Sequence, residues 1–321
     1  MPLPDFVGIG AQKAGSTWLY STLSAHPRIW TTPKKEIHYF DKSPDWRDPK
    51  IEIMKRKRMG RSRLEVWYWY RKYSRLPRDD RWYASLFRPG WRQIAGEITP
   101  DYYVMDEVRI SKFHEILPDA KLLFVMRNPI ERAWSHAVMD LRRGENKDAH
   151  KMSIEELSEF FERGYVARRA YYLDALKNWT RFYPQEQIFT GFMEDIHFHP
   201  FKLLRRIYRF LGVDPNFRPP GMRRKVNSRS SGFMRVEAAR YLARSYYDEL
   251  QRLSDRFGGY ADFWLYCADR LLNGAFEKED KVPYPLWTSS VWKEWRSRSG
   301  YPDKEQQSPA KPQSSLLSNW A

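Results

Sequence analysis

The segment Gly10-Ala11-Gln12-Lys13-Ala14-Gly15-Ser16-Thr17-Trp18-Leu19 follows directly on the apolar run Phe6-Val7-Gly8-Ile9. A buried strand, a turn bracketed by two glycines and a helix start at Ser16-Thr17 commit the chain to a strand–loop–helix unit. Such a loop is an anion cradle. Its glycines let the backbone come close to a phosphate, the first-turn N–H groups point at it, and a lysine adds a full charge. A strand that feeds a helix in this way returns by crossover to a parallel neighbour.

The rest of the chain repeats the alternation. Ile94–Ile98 reads as a strand ended by Thr99-Pro100, and Val108–Leu117 as a helix closed by Pro118. Lys121–Met126 reads as a central strand, and Pro129 suits the first position of a helix running through Leu141. Tyr172–Phe182 is helical in pattern, Gln187–Phe192 strand-like, and Pro200–Leu211 an amphipathic helix stopped by Gly212. A helical section follows from Val236 to Leu272. The predicted fold class is α/β, a P-loop-like parallel sheet flanked by helices on both faces, with ligands beyond the carboxyl ends of the strands.

The loop nearly matches the nucleoside triphosphatase pattern G-x-x-x-x-G-K-[ST], but Ser16 stands at the lysine position and the lysine lies inside the turn, at Lys13. The strand Leu122–Met126 ends in Arg127, where such an enzyme would usually present a magnesium-binding aspartate. Both departures favour metal-independent chemistry on another nucleotide. Arg127-Asn128-Pro129-Ile130-Glu131-Arg132-Ala133-Trp134-Ser135 is a second anion signal, because a guanidinium fork and a hydroxyl two helical turns on suit a phosphate monoester. Pairing of Arg127 with acids such as Glu131 is the alternative.

A net charge of +16 favours an anionic partner, and eleven lysines and arginines against four acids between Glu52 and Arg81 carry nearly half of it. This charge, with Trp67-Tyr68-Trp69-Tyr70 among it, motivates a rival reading as a nucleic-acid-binding protein, although no recognised reading motif accompanies it. A P-loop kinase or NTPase is the nearest enzymatic rival. Cys267 is the single cysteine, so no internal disulfide forms. With no signal pattern before the first strand and no apolar run of membrane-spanning length, a cytoplasmic location is expected.

Several motifs taken in order resemble sulfotransferases that use 3′-phosphoadenylyl sulfate (PAPS). Gly10–Leu19 is similar to their 5′-phosphosulfate loop and Arg127–Ser135 to their 3′-phosphate motif. Lys34-Lys35-Glu36-Ile37-His38-Tyr39-Phe40-Asp41 resembles the Lys-Glu-x-His-Phe-Phe-Asp segment of the heparan sulfate 3-O- and N-sulfotransferases. Glu97-Ile98-Thr99-Pro100-Asp101-Tyr102-Tyr103 resembles Glu-Lys-Thr-Pro-x-Tyr-Phe of the 3-O branch, with Ile98 in place of a lysine beside the acceptor. The resemblance covers roughly residues 5–272 and fits a free-standing, bacterial-type relative.

It implies sulfuryl transfer from PAPS, leaving PAP, to a hydroxyl or amine. Gln12, Lys13, Ala14, Gly15, Ser16, Thr17 and Trp18 would hold the 5′ side of the donor, with Lys13 serving the leaving oxygen. Arg127 and Ser135 would hold its 3′-phosphate, and the loop Arg223-Arg224-Lys225 would close over it. Glu36 is the implied general base and His38 its partner or competitor for that role; in an extended segment both would face one acceptor. Asp41, Thr99 and Tyr102 complete the acceptor side, and no metal is required. The acceptor would be a glycan, a glycolipid or a small hydroxylated metabolite. A sulfotransferase domain is expected over residues 1–275, with a basic aromatic insert near 42–93 on the acceptor side. Residues 276–321 read as a partly disordered extension that Trp287, Trp292 and Trp295 tie down in its earlier part.

Overall fold

A computed structural model describes residues 2–46, 63–75, 77–220, 222, 232–274, 276 and 279–300. They group into two compact units, one from Met1–Met126 and Asp174–Ser228, the other from Arg127–Leu173 and Arg229–Ala321.

The first unit is built on a five-stranded sheet ordered β2-β3-β1-β4-β5, with every pairing parallel. Its strands are β1 (Phe6–Gly10), β2 (Ile29–Thr31), β3 (Ile94–Ile98), β4 (Lys121–Met126) and β5 (Ile188–Phe192). The central strand is β1; β4, predicted as central, lies beside it. The short β2 gives no periodic signal because three residues are too few for one. Helix α1 (Ser16–Ser24) follows β1 through the glycine-bracketed turn.

Strand residues Phe6, Leu123, Val125 and Phe189 meet Leu19 and Leu23 of α1 and Leu203, Leu204, Ile207 and Leu211 of the Pro200–Leu211 helix in one core. Each such side chain contributes about 1.5–3 kcal/mol on burial. Gly96 is needed where the sheet is tightest, since a Cβ there would stand 2.2 Å from the Phe6 ring. The insert supplies two helices, Arg63–Tyr73 and Asp80–Ser85, which bury Trp69, Tyr70 and Tyr73 and leave Trp67 and Tyr68 exposed. Half of its aromatic run is therefore core.

The second unit is helical, with helices at Pro129–Asp140, Ile154–Glu162, Val236–Ser245, Tyr247–Phe257, Tyr260–Leu272 and Ser290–Ser299. It also carries an antiparallel pair, β6 (Phe233–Arg235) and β7 (Lys281–Pro283). The predicted run Val236–Leu272 is thus three helices, broken at Tyr246 and at Gly258-Gly259. Trp287 and Trp295 are buried, and Trp292 stacks on Trp295 and meets the edge of Phe263, so these rings do secure the segment they occupy. Residues 301–321 lie outside the described residues. No described helix is long and apolar enough to cross a membrane.

Candidate active site

The loop after β1 begins where the Ala11 amide donates to the Val125 carbonyl of β4 at 2.8 Å. Lys13 and Gly15 both adopt left-handed backbone, at φ 70° and 85°, which turns the chain sharply before α1. A Cβ on Gly15 would stand 2.4 Å from Ile196 Cδ1, so only glycine satisfies both the backbone and the space. Helix α1 has no side-chain cap and no acid in its first turn, which leaves its positive end suited to an anion. The Gln12 Oε1 is buried without a hydrogen-bond partner. Trp18 is buried, its indole N–H donating to the Met222 carbonyl at 2.8 Å.

The segment Lys34–Asp41 is an irregular loop, so the alternation that an extended segment would give does not apply. Glu36 and His38 have φ values of 70° and 56°, and the loop is held from beneath by fully buried groups. The Glu36 amide donates to the Ile98 carbonyl, and the Ile37 amide to the Thr99 hydroxyl, both at 3.0 Å. Thr99 in turn donates to Glu97 Oε2 at 2.7 Å, and the Tyr83 hydroxyl donates to Glu97 Oε1 at 2.6 Å. The Tyr102 hydroxyl accepts from the Tyr39 amide at 2.9 Å. Thr99 and Tyr102, assigned from sequence to the acceptor, are fully buried and instead shape the loop that carries Glu36. From the other side the Lys34 ammonium donates to the Glu36 carbonyl at 2.5 Å and the Tyr73 hydroxyl at 2.9 Å.

Glu36 and His38 meet without an extended backbone. Glu36 Oε2 is 3.8 Å from His38 Nε2, while His38 Nδ1 is 2.8 Å from Asp41 Oδ2. Lys35 Nζ binds Glu36 Oε1 at 2.9 Å and reaches the Thr17 hydroxyl at 3.5 Å. The phosphate-type loop and the carboxylate are thereby one connected site. Burial alone would raise the Glu36 pKa, but the His38 hydrogen bond and the Lys35 charge hold it well below the ordinary carboxylate range. Burial would lower His38; hydrogen bonds to Asp41 and Glu36 and the charges of Asp41 and Asp101 outweigh it and push the imidazole up to about 9. At neutral pH the Glu36 carboxylate is ionised and the His38 imidazole protonated. Of Lys35, Glu36, His38 and Asp41, Glu36 is the most open, at 36% exposure against 11% for His38. His38, Asp41 and Asp101 also place ligand-type atoms within 4.8 Å of one another.

In the second unit Arg127 is buried and paired with Glu131, as the alternative reading had it, with Nε and Nη2 at 3.1 and 3.0 Å from Glu131 Oε2. Its Nη2 also donates to the Tyr284 hydroxyl at 2.6 Å, and Ser135 lies near enough to that hydroxyl to hold its pKa down against burial. Arg127 is thus held between Glu131 and Tyr284, with Glu131 fixed by the Leu286 amide at 2.6 Å. Arg223, Arg224 and Lys225 lie outside the described residues. Sequence reasoning offered Lys35 only as a surface partner for the Glu36 carboxylate and gave Glu97 and Tyr284 no role. A signal existed for Lys35, which directly precedes the base candidate; Tyr284 lies 157 residues from Arg127 and had none.

Residues 4–218 match the family model described as "Sulfotransferase family". Human heparan sulfate glucosamine 3-O-sulfotransferase 5 is 26% identical over 219 residues, covering 66% of this chain and 54% of that protein. Human bifunctional heparan sulfate N-deacetylase/N-sulfotransferase 2 is 24% identical over 229 residues, covering 66% of this chain and 22% of that protein. The match thus spans about half the length of the first relative and less of the second. A sulfotransferase from Alicyclobacillus acidocaldarius superposes with a TM-score of 0.55 at 25% identity, over 79% of this chain and 96% of that one. The sulfotransferase domain of the curacin biosynthetic pathway shares the fold, with a TM-score of 0.50 at 16% identity over 94% of this chain and all of that one. On a family match that takes in the sheet, the glycine-bracketed loop and the Glu36–His38–Asp41 array, this chain belongs to the sulfotransferase family.

Proposed function

We propose that the protein is a PAPS-dependent sulfotransferase that acts on a hydroxyl or amine of a carbohydrate acceptor, with Glu36 as general base. The observation that carries this reading is Lys35, which joins Thr17 of the phosphate-type loop to the Glu36 carboxylate. The loop fits the donor's 5′ side, since Gly15 admits the tight turn and no side chain caps α1. When bound, PAPS supplies the sulfuryl group and a phosphate leaving group.

The chain's own residues then have distinct tasks. Gln12–Trp18 hold the phosphate end, and Lys13 places positive charge where the leaving oxygen gains negative charge. Arg127 and Ser135 take the 3′-phosphate, with Tyr284 and Glu131 keeping the guanidinium in place. Glu36, kept ionised and the most open member of its array, takes the proton from the acceptor at a carboxylate oxygen. His38 carries a proton already at neutral pH and so orients and stabilises Glu36 rather than competing with it. Asp41 holds that imidazole. The relatives named for heparan sulfate glucosamine support a glycan acceptor.

Calorimetry with PAP, AMP and ATP tests the donor assignment. PAP should bind in preference to both, and Arg127→Ala should abolish the preference over AMP; equal binding of PAP and AMP by the native protein overturns the 3′-phosphate assignment.

A further inference from the structure

The insert helix Arg63–Tyr73 is apolar on two faces, and the protein body uses only one of them. Val66, Trp69, Tyr70 and Tyr73, spaced as i, i+3, i+4 and i+7, are buried. Tyr73 accepts from Lys34 and joins Trp46 and Trp82 around the Arg78 guanidinium, at 4.8, 5.0 and 4.9 Å from the three ring centres. The same spacing recurs two residues earlier in Leu64, Trp67, Tyr68 and Arg71, all of them exposed. Two residues are about 200° of helical turn, so this second stripe points the opposite way. Leu64 is 73% and Trp67 56% exposed. The outer face of a surface helix is ordinarily polar, and a contiguous apolar stripe there marks a surface that meets a partner.

Cations gather on the stripe. Arg71 lies 5.7 Å from the Trp67 ring centre, and Lys72 and Arg88 lie 5.2 and 5.1 Å from that of Tyr68. Burial lowers the Lys72 pKa, and the charges of Arg88 and Arg75 lower it further, which places all three cations in one cluster. Glu65 is the only acid in the helix. A face that is apolar and positive calls for a partner that is apolar and negative.

The geometry separates three such partners. A second copy of the chain, joined about a two-fold axis, would set Arg71, Lys72, Arg75 and Arg88 against their own images. A single-stranded nucleic acid needs open ring faces for its bases, whereas cations lie over the rings of Trp67 and Tyr68, and Leu64 gives a base nothing to stack on. An anionic bilayer employs every part. Leu64 and Trp67 enter the boundary between headgroups and acyl chains, Tyr68 sits at headgroup level, and the cations meet lipid phosphates.

We infer that the outer face of the Arg63–Tyr73 helix, with Arg75 and Arg88, docks the protein onto an anionic lipid surface. This surface is independent of the donor and acceptor assignments. Because the inner face of the helix holds Lys34, and Lys34 the Glu36 carbonyl, docking leaves the Glu36 loop about one helix diameter, 10–12 Å, from the lipid.

Flotation of the full chain with lipid vesicles at physiological salt tests the surface. Vesicles of equal parts phosphatidylglycerol and phosphatidylcholine should bind the protein about tenfold or more tightly than pure phosphatidylcholine. Leu64→Ser/Trp67→Ser keeps the net charge, and it should weaken binding to the anionic vesicles about tenfold or more while leaving PAP affinity unchanged. Arg71→Gln/Arg75→Gln should weaken the same binding by about tenfold or more. Should one double variant not fold, the other decides. No binding to anionic vesicles, equal binding to neutral ones, or undiminished binding in either variant that folds overturns the docking surface. A single-stranded oligonucleotide that the native chain prefers at equal phosphate concentration, and that the same variants lose, overturns it in favour of nucleic acid.

Discussion

At the scale of single residues, the proposed function depends on how one carboxylate is held. Glu36 is flanked by Lys35 and His38, and His38 by Asp41, so the carboxylate stays charged and the imidazole stays protonated. Replacing Glu36 by Gln should leave PAP affinity intact and lower sulfuryl transfer by about 10²–10⁴-fold, measured by single-turnover transfer to an acceptor. Near-normal turnover in that variant would remove Glu36 from the role. His38 yields a pH test. Its pKa of about 9 in the folded chain lies above its unfolded value of 6.5, so the stabilisation it brings is complete below pH 6.5 and is lost as pH rises through about 9. The full effect is on the order of 3 kcal/mol. NMR titration of the His38 ring should show a midpoint near 9. Asp41→Asn should bring it down towards the ordinary histidine range, because the largest of the groups raising it is gone. A midpoint unchanged by Asp41→Asn would contradict the ion pair.

At the scale of elements, the loop between β1 and α1 is legible in the sequence because its requirements are local. Gly15 has a left-handed φ of 85° and faces Ile196, so Gly15→Ala should cost about 1–3 kcal/mol in chemical denaturation and weaken PAP binding. An unperturbed variant would mean that the turn tolerates another course. The strands β1, β3, β4 and β5 and the Pro200–Leu211 helix were equally legible, since apolar runs and a proline–glycine bracket announce them. Two features were not. The short β2 has too little pattern, and nothing local in Lys34–Asp41 announces the left-handed backbone that Glu36 and His38 adopt. What bends that segment is distant in sequence: Ile98, Thr99 and Tyr102 bind its backbone from below and Tyr73 holds Lys34. Thr99→Val would leave Glu97 and the Ile37 amide without their shared partner, and should cost about 1–3 kcal/mol in a denaturant melt. The conservative Thr99→Ser should restore most of it.

At the scale of the whole molecule, ligand binding and stability are linked. PAP at a hundred times its dissociation constant should stabilise the folded chain by about 2.7 kcal/mol, seen as a rise in thermal midpoint, and AMP at the same concentration should give a smaller rise. The charge of +16 suits a protein whose proposed donor and lipid partner are both anionic. By itself, however, the sequence left the charge ambiguous between nucleic acid, acidic glycan, a membrane surface and a phosphorylated cofactor. Strand–helix alternation and the glycine-bracketed loop are local facts that determined the fold class, and the motifs around Gly10, Glu36 and Arg127 carried the resemblance to sulfotransferases. Only the tertiary structure decided that Lys35 links Thr17 to Glu36, that Thr99 and Tyr102 lie beneath the site, that Arg127 meets Tyr284, and that Arg78 is caged by three rings. The division has a physical cause. Backbone conformation and amphipathic pattern depend on neighbours a few residues away, whereas proton affinity, burial and unsatisfied donors depend on groups that only the folded chain brings together.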